Sequence, residues 1–357
     1  MIMNSYERVI NAINYKKPDR PPLGYFATPE VTAKLMNYFN IKNYEKLLGM
    51  LGVDFRYISS NYIGPEEFIG MDYGIRIGKD IWGIVWKAIR TKFSTYYEIE
   101  SSPLANINSL EEIEEYNWPD PDWIDVSNLK KEIEKINYNE RKAIVFSAGR
   151  VFSNAWGLRG FEKFLIDLIT QPEIAEMLMK KVSDFFFEVT RRAVEATGGL
   201  IDIIESLSDI GSQNGMILSP KLWRKYVKYW TGRLIEPFKK DGYKTSYHSD
   251  GDFTDVMDDL IEMGLDIVNP IQPKARNTDP ENLKALFGDR IAFSGGIDIQ
   301  ELLPFGTPDD VKREVTRTIN ILGTNGGYIV ASSNAIQPDT PLENILALYQ
   351  TVREYNY

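Results

Sequence analysis

The stretch YKTSYHSDGDFTDVMDDLIEMGLDIVNP (243–270) decides the fold. YKTSYH is a short run rich in aromatic and β-forming residues, residues 252–264 have helical spacing and stop at Gly264, and LDIVNP opens a second apolar run. A strand, a helix and a strand in that order imply a parallel sheet with right-handed crossovers. The alternation continues in both directions. Upstream lie LIDIIES (200–206) and SPKLWRKYVKYWTGRLIEPFKK (219–240), the latter with a Ser-Pro helix start. Downstream come DPENLKALFG (279–288), IAFSGG (291–296), TPDDVKREVTRTINILG (307–323), GGYIVAS (326–332) and TPLENILALYQTVREY (340–355). Nearer the N-terminus, PPLGYFA (21–27), VDFRYISS (53–60) and AIVFSAG (143–149) are strand candidates, the last followed by two long helices over about 153–197. Eight strands are what a closed (β/α)8 TIM barrel requires, and one barrel domain over 1–357 is expected. Residues 72–125 differ in character: a hairpin from DIWGIVWKAIR and YYEIESSPLA, then an acidic helix and loop, expected as an insertion over the barrel mouth.

Composition narrows the function. The 357 residues include no cysteine and one histidine, which excludes thiolate metal sites, cysteine nucleophiles and multi-histidine metal sites. Asp and Glu number 51 against 41 Lys and Arg, an acidic balance that argues against a nucleic-acid partner. With 43% hydrophobic residues and no apolar run long enough to span a bilayer, the expectation is a soluble, cytoplasmic protein without a membrane partner.

In a barrel the active site lies at the C-terminal strand ends, so the residues there are the candidates. After LIDII come Glu205, Ser208, Asp209 and Gln213; after YKTSY come His248, Ser249, Asp250 and Asp252. LDIV leads to Asn269 and Gln272, IAFSGG to Asp298 and Gln300, and GGYIVAS to Ser333, Asn334 and Gln337. His248, with Asp250 beside it and Glu205 on the neighbouring strand, suits zinc or another divalent ion with an open position for substrate. Without metal the same carboxylates would favour imidazolium, a general acid or anion-binding group. The Gly295-Gly296 pair marks backbone strain at a strand end or backbone approaching a ligand. Tyr57, Tyr62, Trp82, Trp86, Tyr96 and Tyr97 supply core and lid packing or a stacking wall for a flat ligand.

The segments ERVINAINYKKPDRPPL (7–23), LRGFEKFLIDLITQPE (158–173), SDIGSQNGMILSPKLW (208–223), YHSDGDFTDVMDDLIEMGLDIVNPIQP (247–273), FSGGIDIQELLPFGTPDDVKREV (293–315) and IQPDTPLENILALY (336–349) resemble the uroporphyrinogen decarboxylase superfamily. The resemblance implies the (β/α)8 fold and one of two chemistries. Tetrapyrrole decarboxylases of the family carry arginines after the first strand, where this chain reads GYFATPEVTAKL, and a late histidine where it has Asn334. The other branch is the corrinoid-linked methyltransferases. Thiol-methylating members hold zinc with a His-x-Cys pair and a later Cys; here His248-Ser249-Asp250 and Ser332-Ser333-Asn334 stand at those places. An oxygen and nitrogen ligand set makes a more Lewis-acidic ion, suited to an ether oxygen.

The resemblance therefore implies transfer of a methyl group from an O-methylated, methoxy-aromatic small molecule to the Co(I) corrinoid of a partner protein. His248, Glu205 and Asp250 would hold zinc. Asp209, Gln213 and Asn269 would be catalytic, orienting substrate or supplying a proton, and Gln272, Asn334 and Tyr57 would contact substrate. The alternatives are a metal-free decarboxylase and a non-catalytic corrinoid- or tetrapyrrole-binding protein. A homodimer is left open.

Overall fold

The computed structural model describes residues 3–68, 77–92 and 94–357. The start of the expected insertion, 72–76, and Lys92's neighbour at 93 lie outside them. Seven parallel strands form one curved sheet: β1 (Phe55–Ile58), β2 (Ala143–Gly149), β3 (Ile203–Leu207), β4 (Lys244–His248), β5 (Ile267–Ile271), β6 (Ala292–Ile297) and β7 (Tyr328–Ser332), hydrogen-bonded in that order.

The segment expected as the first strand, PPLGYFA, closes the ring without forming a ladder. Gly24 N donates to Val330 O and Val330 N to Pro22 O, both at 2.9 Å, while Asp54 N donates to Leu23 O at 2.9 Å. Both edges of the sheet are thus tied to three residues. Pro21 and Pro22 have no N–H to give, which is why this seam is two bridges and not a strand.

Charge locks the seam. The carboxylate of Asp54, fully buried, accepts from Leu23 N at 2.8 Å and pairs with Arg8 at 2.7 Å and Arg20 at 2.9 Å. Arg8 also pairs with Asp19 at 2.7 Å. The charged residues of ERVINAINYKKPDRPPL are therefore structural. A second buried pair, Arg159 with Asp167 at 2.6 Å, belongs to LRGFEKFLID; its guanidinium also donates to Leu104 O and Ile107 O, fastening the insertion to the barrel helices.

Side-chain parity divides the barrel interior into two layers. The lower layer is apolar: Phe55, Ala143, Val145, Ile203, Ile267, Ala292 and Ile329 form one cluster with Val9 and Ile13 of the first helix (Ser5–Ile13), which plugs the bottom. Two residues further along β1, β2, β3 and β5, on the same inward face, stand Tyr57, Ser147, Glu205 and Asn269, with Ser246 and His248 in register beside them. The upper layer is polar.

Helix boundaries follow the breakers. The stretch over 153–197 is three helices, Val151–Arg159, Phe161–Thr170 and Pro172–Thr197, parted at Gly160 and Pro172. The single helix expected over 219–240 is interrupted by a π-helical turn at Trp223–Val227 and restarts at Glu236–Lys240, where Pro237 cannot continue a preceding helix. The Gly295-Gly296 pair reflects backbone approach between strands: a Cβ at Gly295, φ +108°, would sit 2.9 Å from Ile271 N.

In the insertion, Val85–Arg90 and Thr95–Ser101 form an antiparallel hairpin, and Leu110–Glu114 is a short helix with a Ser109/Glu112 capping box. Trp82 is buried, its ring 5.0 Å from that of Phe185 and 5.3 Å from that of Phe186. Tyr96 Oη donates to Gln337 Oε1 at 3.1 Å, so the hairpin meets the loop after β7 at the mouth end. Among the described residues no helix is long and apolar enough to cross a membrane.

Candidate active site

Three residues offer ligand atoms that all lie within 4.8 Å of one another: Asp209, His248 and Asp250. His248 ends β4, Asp250 lies in the loop after it, and Asp209 lies in the loop after β3. That loop is folded over by Ser249, whose Oγ accepts from Ile210 N at 3.0 Å and Gly211 N at 3.3 Å. Asp209 Oδ1 then accepts from Asp250 N at 3.0 Å. Gly251 is required at this crossing: its φ is +78°, and a Cβ would fall 2.4 Å from Ser212 N.

Asp250 is held from two further strands. Asn334 Nδ2 donates to Oδ1 at 2.9 Å and Oδ2 at 2.8 Å, and Gln272 Nε2 donates to Oδ1 at 2.8 Å. Gln272 also accepts from Gly251 N at 2.8 Å. Oδ1 therefore has two donors and Oδ2 one, so Oδ2 keeps a lone pair for a metal. Burial pushes Asp250 up to about 7, with the like charge of Asp209 adding and the Asn334 bond and Arg150 opposing. Burial pushes His248 down to about 4, against Asp209 and with Arg150. A neutral imidazole with two carboxylates is a nitrogen and oxygen donor set that fits a catalytic zinc site, three protein ligands and an open position.

Glu205 is not part of this cluster. The ladder pairs His248 with Leu207 and Ser246 with Glu205, so Glu205 stands two residues, about 6.6 Å, lower along the strand. Its Oε1 accepts from Asn269 Nδ2 at 3.1 Å, Tyr57 Oη at 3.4 Å and Ser246 Oγ at 3.4 Å. Tyr57 and Asn269 lie two strands away on opposite sides, so the three side chains can meet only inside the barrel. The expected ligand group of His248, Glu205 and Asp250 is corrected accordingly: Asp209, expected as a catalytic residue, takes the place given to Glu205. Burial raises Glu205 above the ordinary carboxylate range, opposed by the three hydrogen bonds and by Arg150.

Gln213 donates to Lys274 O at 2.6 Å and, with Asp250, Gln272, Asp298, Ser333 and Asn334, lines a cavity of about 320 Å³ between the strand-end loops. Of the two readings of the aromatics, core and lid packing is what Trp82 and Tyr96 show. Trp82 is core, Trp86 Nε1 donates to Asp80 at 2.7 Å and Tyr62 Oη to Pro65 O at 2.8 Å. Tyr57, 57% exposed, is the aromatic whose hydroxyl meets Glu205.

Two features were not singled out in the sequence. Arg150, directly after β2, is the cation whose charge reaches Glu205, His248 and Asp250; its signal was the strand end AIVFSAGR. Ser147 and Ser246 flank Glu205 in register. Their signal was strand parity, since K-T-S-Y-H places Ser246 on the face of His248.

Comparison with known proteins agrees with this architecture. Residues 77–355 match the family "Uroporphyrinogen decarboxylase (URO-D)". A uroporphyrinogen decarboxylase of Chlorobium phaeovibrioides is 24% identical over 52% of this chain and 51% of its own. One from Thermus thermophilus is 27% identical over 50% of this chain and 48% of its own. The chain thus spans about half the length of the curated relatives it matches. A solved structure of a methyltransferase from Methanosarcina mazei superposes with a TM-score of 0.69, covering 99% of both chains at 17% identity, a likeness of fold.

Proposed function

The chain belongs to the uroporphyrinogen decarboxylase family, and from that premise we propose that it is a corrinoid-dependent methyltransferase. It takes a methyl group from an O-methylated small molecule, a methoxy-aromatic in the first instance, and passes it to the Co(I) corrinoid of a partner protein. The observation that carries this reading is the convergence of Asp209, His248 and Asp250, an oxygen and nitrogen donor set without thiolate. The fold shared with a methyltransferase supports it.

Zinc bound there would supply Lewis acidity toward the ether oxygen. The protein's own part is alignment. Asn334 and Gln272 fix the Asp250 carboxylate, and the folded 208–212 loop brings Asp209 to it. Burial keeps His248 neutral and able to ligate. Gln213 and the strand-end loops shape the cavity beside Asp250. The exposed Tyr57 ring offers a face to an aromatic donor. With a nucleophile as strong as Co(I), such alignment and leaving-group activation are what the protein must provide.

The test is metal content and demethylation of wild type and His248→Ala, purified without chelator or metal-affinity tag. Near-stoichiometric zinc and methyl transfer to cob(I)alamin, both lost in the variant, support the reading. A His248→Ala protein that demethylates normally overturns it. A second reading, a carboxy-lyase, is favoured by the names of the relatives and by the positive charge that Arg150 brings to the strand-end carboxylates; it predicts CO₂ release from a carboxylated substrate.

A further inference from the structure

The polar layer inside the barrel contains one carboxylate that the proposed metal cluster leaves unused. Glu205 is 5% exposed, and all three of its hydrogen bonds arrive at one oxygen. Tyr57, Ser246 and Asn269 hold Oε1 from three different strands, while among the described residues Oε2 accepts no hydrogen bond. The anchoring residue Tyr57 is itself 57% exposed, so it links this buried carboxyl group to the barrel surface. The arrangement fixes one oxygen from three strands and leaves the other free of hydrogen bonds from the described residues.

We infer that Glu205 is the proton donor to the leaving oxygen, acting through Oε2. The inference rests on the methyl-transfer reading and assigns a step within it. The acceptor's electron pair forms the new bond to the methyl carbon, and the C–O bond breaks with its pair left on oxygen. The Glu205 O–H then gives its proton to that oxygen, the alcohol or phenol departs, and the carboxylate is reprotonated by water from the mouth. Each atom and charge is accounted for: ether plus Co(I) plus one proton gives methyl-Co(III) plus alcohol.

The surroundings favour a carboxylic acid here. Burial disfavours the ionised form, and the charged and titratable groups that face it are Arg150 and Tyr57. Phenol, amide and hydroxyl donors on Oε1 stabilise the carboxylate that remains after transfer. His248, neutral at pH 7, is a poor acid in the same mouth.

A leaving-group series tests the assignment. Wild type, Glu205→Gln and Asp250→Asn are assayed with methyl phenyl ethers ranging from nitro-substituted to alkyl-substituted rings, with free cob(I)alamin as acceptor. A general acid matters most for the most basic leaving oxygen. The expected result for Glu205→Gln is a loss of about 100-fold on the alkyl-substituted ether and under about threefold on the nitro-substituted one. Asp250→Asn, which removes a proposed metal ligand, should lose zinc and with it turnover of every ether, whereas Glu205→Gln should keep its zinc. An equal loss across the series in Glu205→Gln, as a merely structural residue would give, overturns the assignment. If wild type demethylates none of the ethers, the methyl-transfer reading falls and this step with it. Difference infrared spectra of wild type against Glu205→Gln add a readout independent of turnover. A protonated-carboxyl band at pH 7, missing in the variant, supports the assignment, and its absence from wild type overturns it.

Discussion

The side-chain amide of Asn334 donates to both carboxylate oxygens of Asp250, at 2.9 and 2.8 Å. It reaches across from the loop after β7 to the loop after β4, and so joins two distant parts of the ring at the candidate metal centre. An amide in this place cannot ligate zinc as a thiolate would, yet it can fix the ligand that does.

Replacing Asn334 by Ala should therefore weaken zinc binding by about 10- to 100-fold while leaving the ligands themselves intact. A competition titration against a chromogenic chelator measures this. Equal affinity in wild type and variant would show that Asp250 needs no such support.

Zinc binding should also depend on pH in a defined window. Asp250 sits near 7 without metal and must lose its proton to ligate, whereas His248, near 4, is already neutral. Affinity should be flat above pH 7 and fall about tenfold per pH unit below it, one proton being displaced per ion. Calorimetry in buffers of different ionisation enthalpy counts that proton. A pH-independent affinity between 5.5 and 7 (the assay range) would remove Asp250 from the ligand set.

Glu205 makes an opposite prediction for stability. Its pKa is raised in the folded state, so the unfolded chain ionises first as pH rises, and the fold loses stability through that interval. Below the unfolded value both states are protonated and the penalty vanishes. Glu205→Gln should thus unfold at a higher temperature than wild type at pH 7, with the difference closing toward pH 4. A difference that widens as the solution is acidified would mean that the carboxylate, and not the acid, is the stabilised form.

Asp54 carries the ring closure. Asp54→Ala leaves Arg8 and Arg20 without their shared buried partner and frees Leu23 N, and should cost about 3–5 kcal/mol. Denaturant unfolding would detect it, and a loss below about 1 kcal/mol would show that the seam is held by its backbone bridges alone.

Much of the fold was legible because period and punctuation are local. The second-half strands and helices fall where apolar runs, Gly and Pro place them, as in DPENLKALFG, which is a helix over Pro280–Phe287. The rim was legible for the same reason: polar residues at strand ends identified His248, Asp250, Asn269, Gln272 and Asn334 before any contact was known. Seven of the eight expected strands are ladders, and the eighth position is filled by a proline-bearing seam.

The order of strands and helices, the restriction of metal-ligating types to one histidine and the carboxylates, and the end of the barrel at which they gather all follow from residue type and order. Tertiary structure alone decided which carboxylate reaches the histidine. Glu205 looked adjacent because it lies on the neighbouring strand, but ladder register sets height, and register pairs it with Ser246. Asp209 belongs to a loop whose path depends on Ser249 from one strand end and on Gly251 leaving room for Ser212. Those are contacts between residues some 40 positions apart, and no local period carries them.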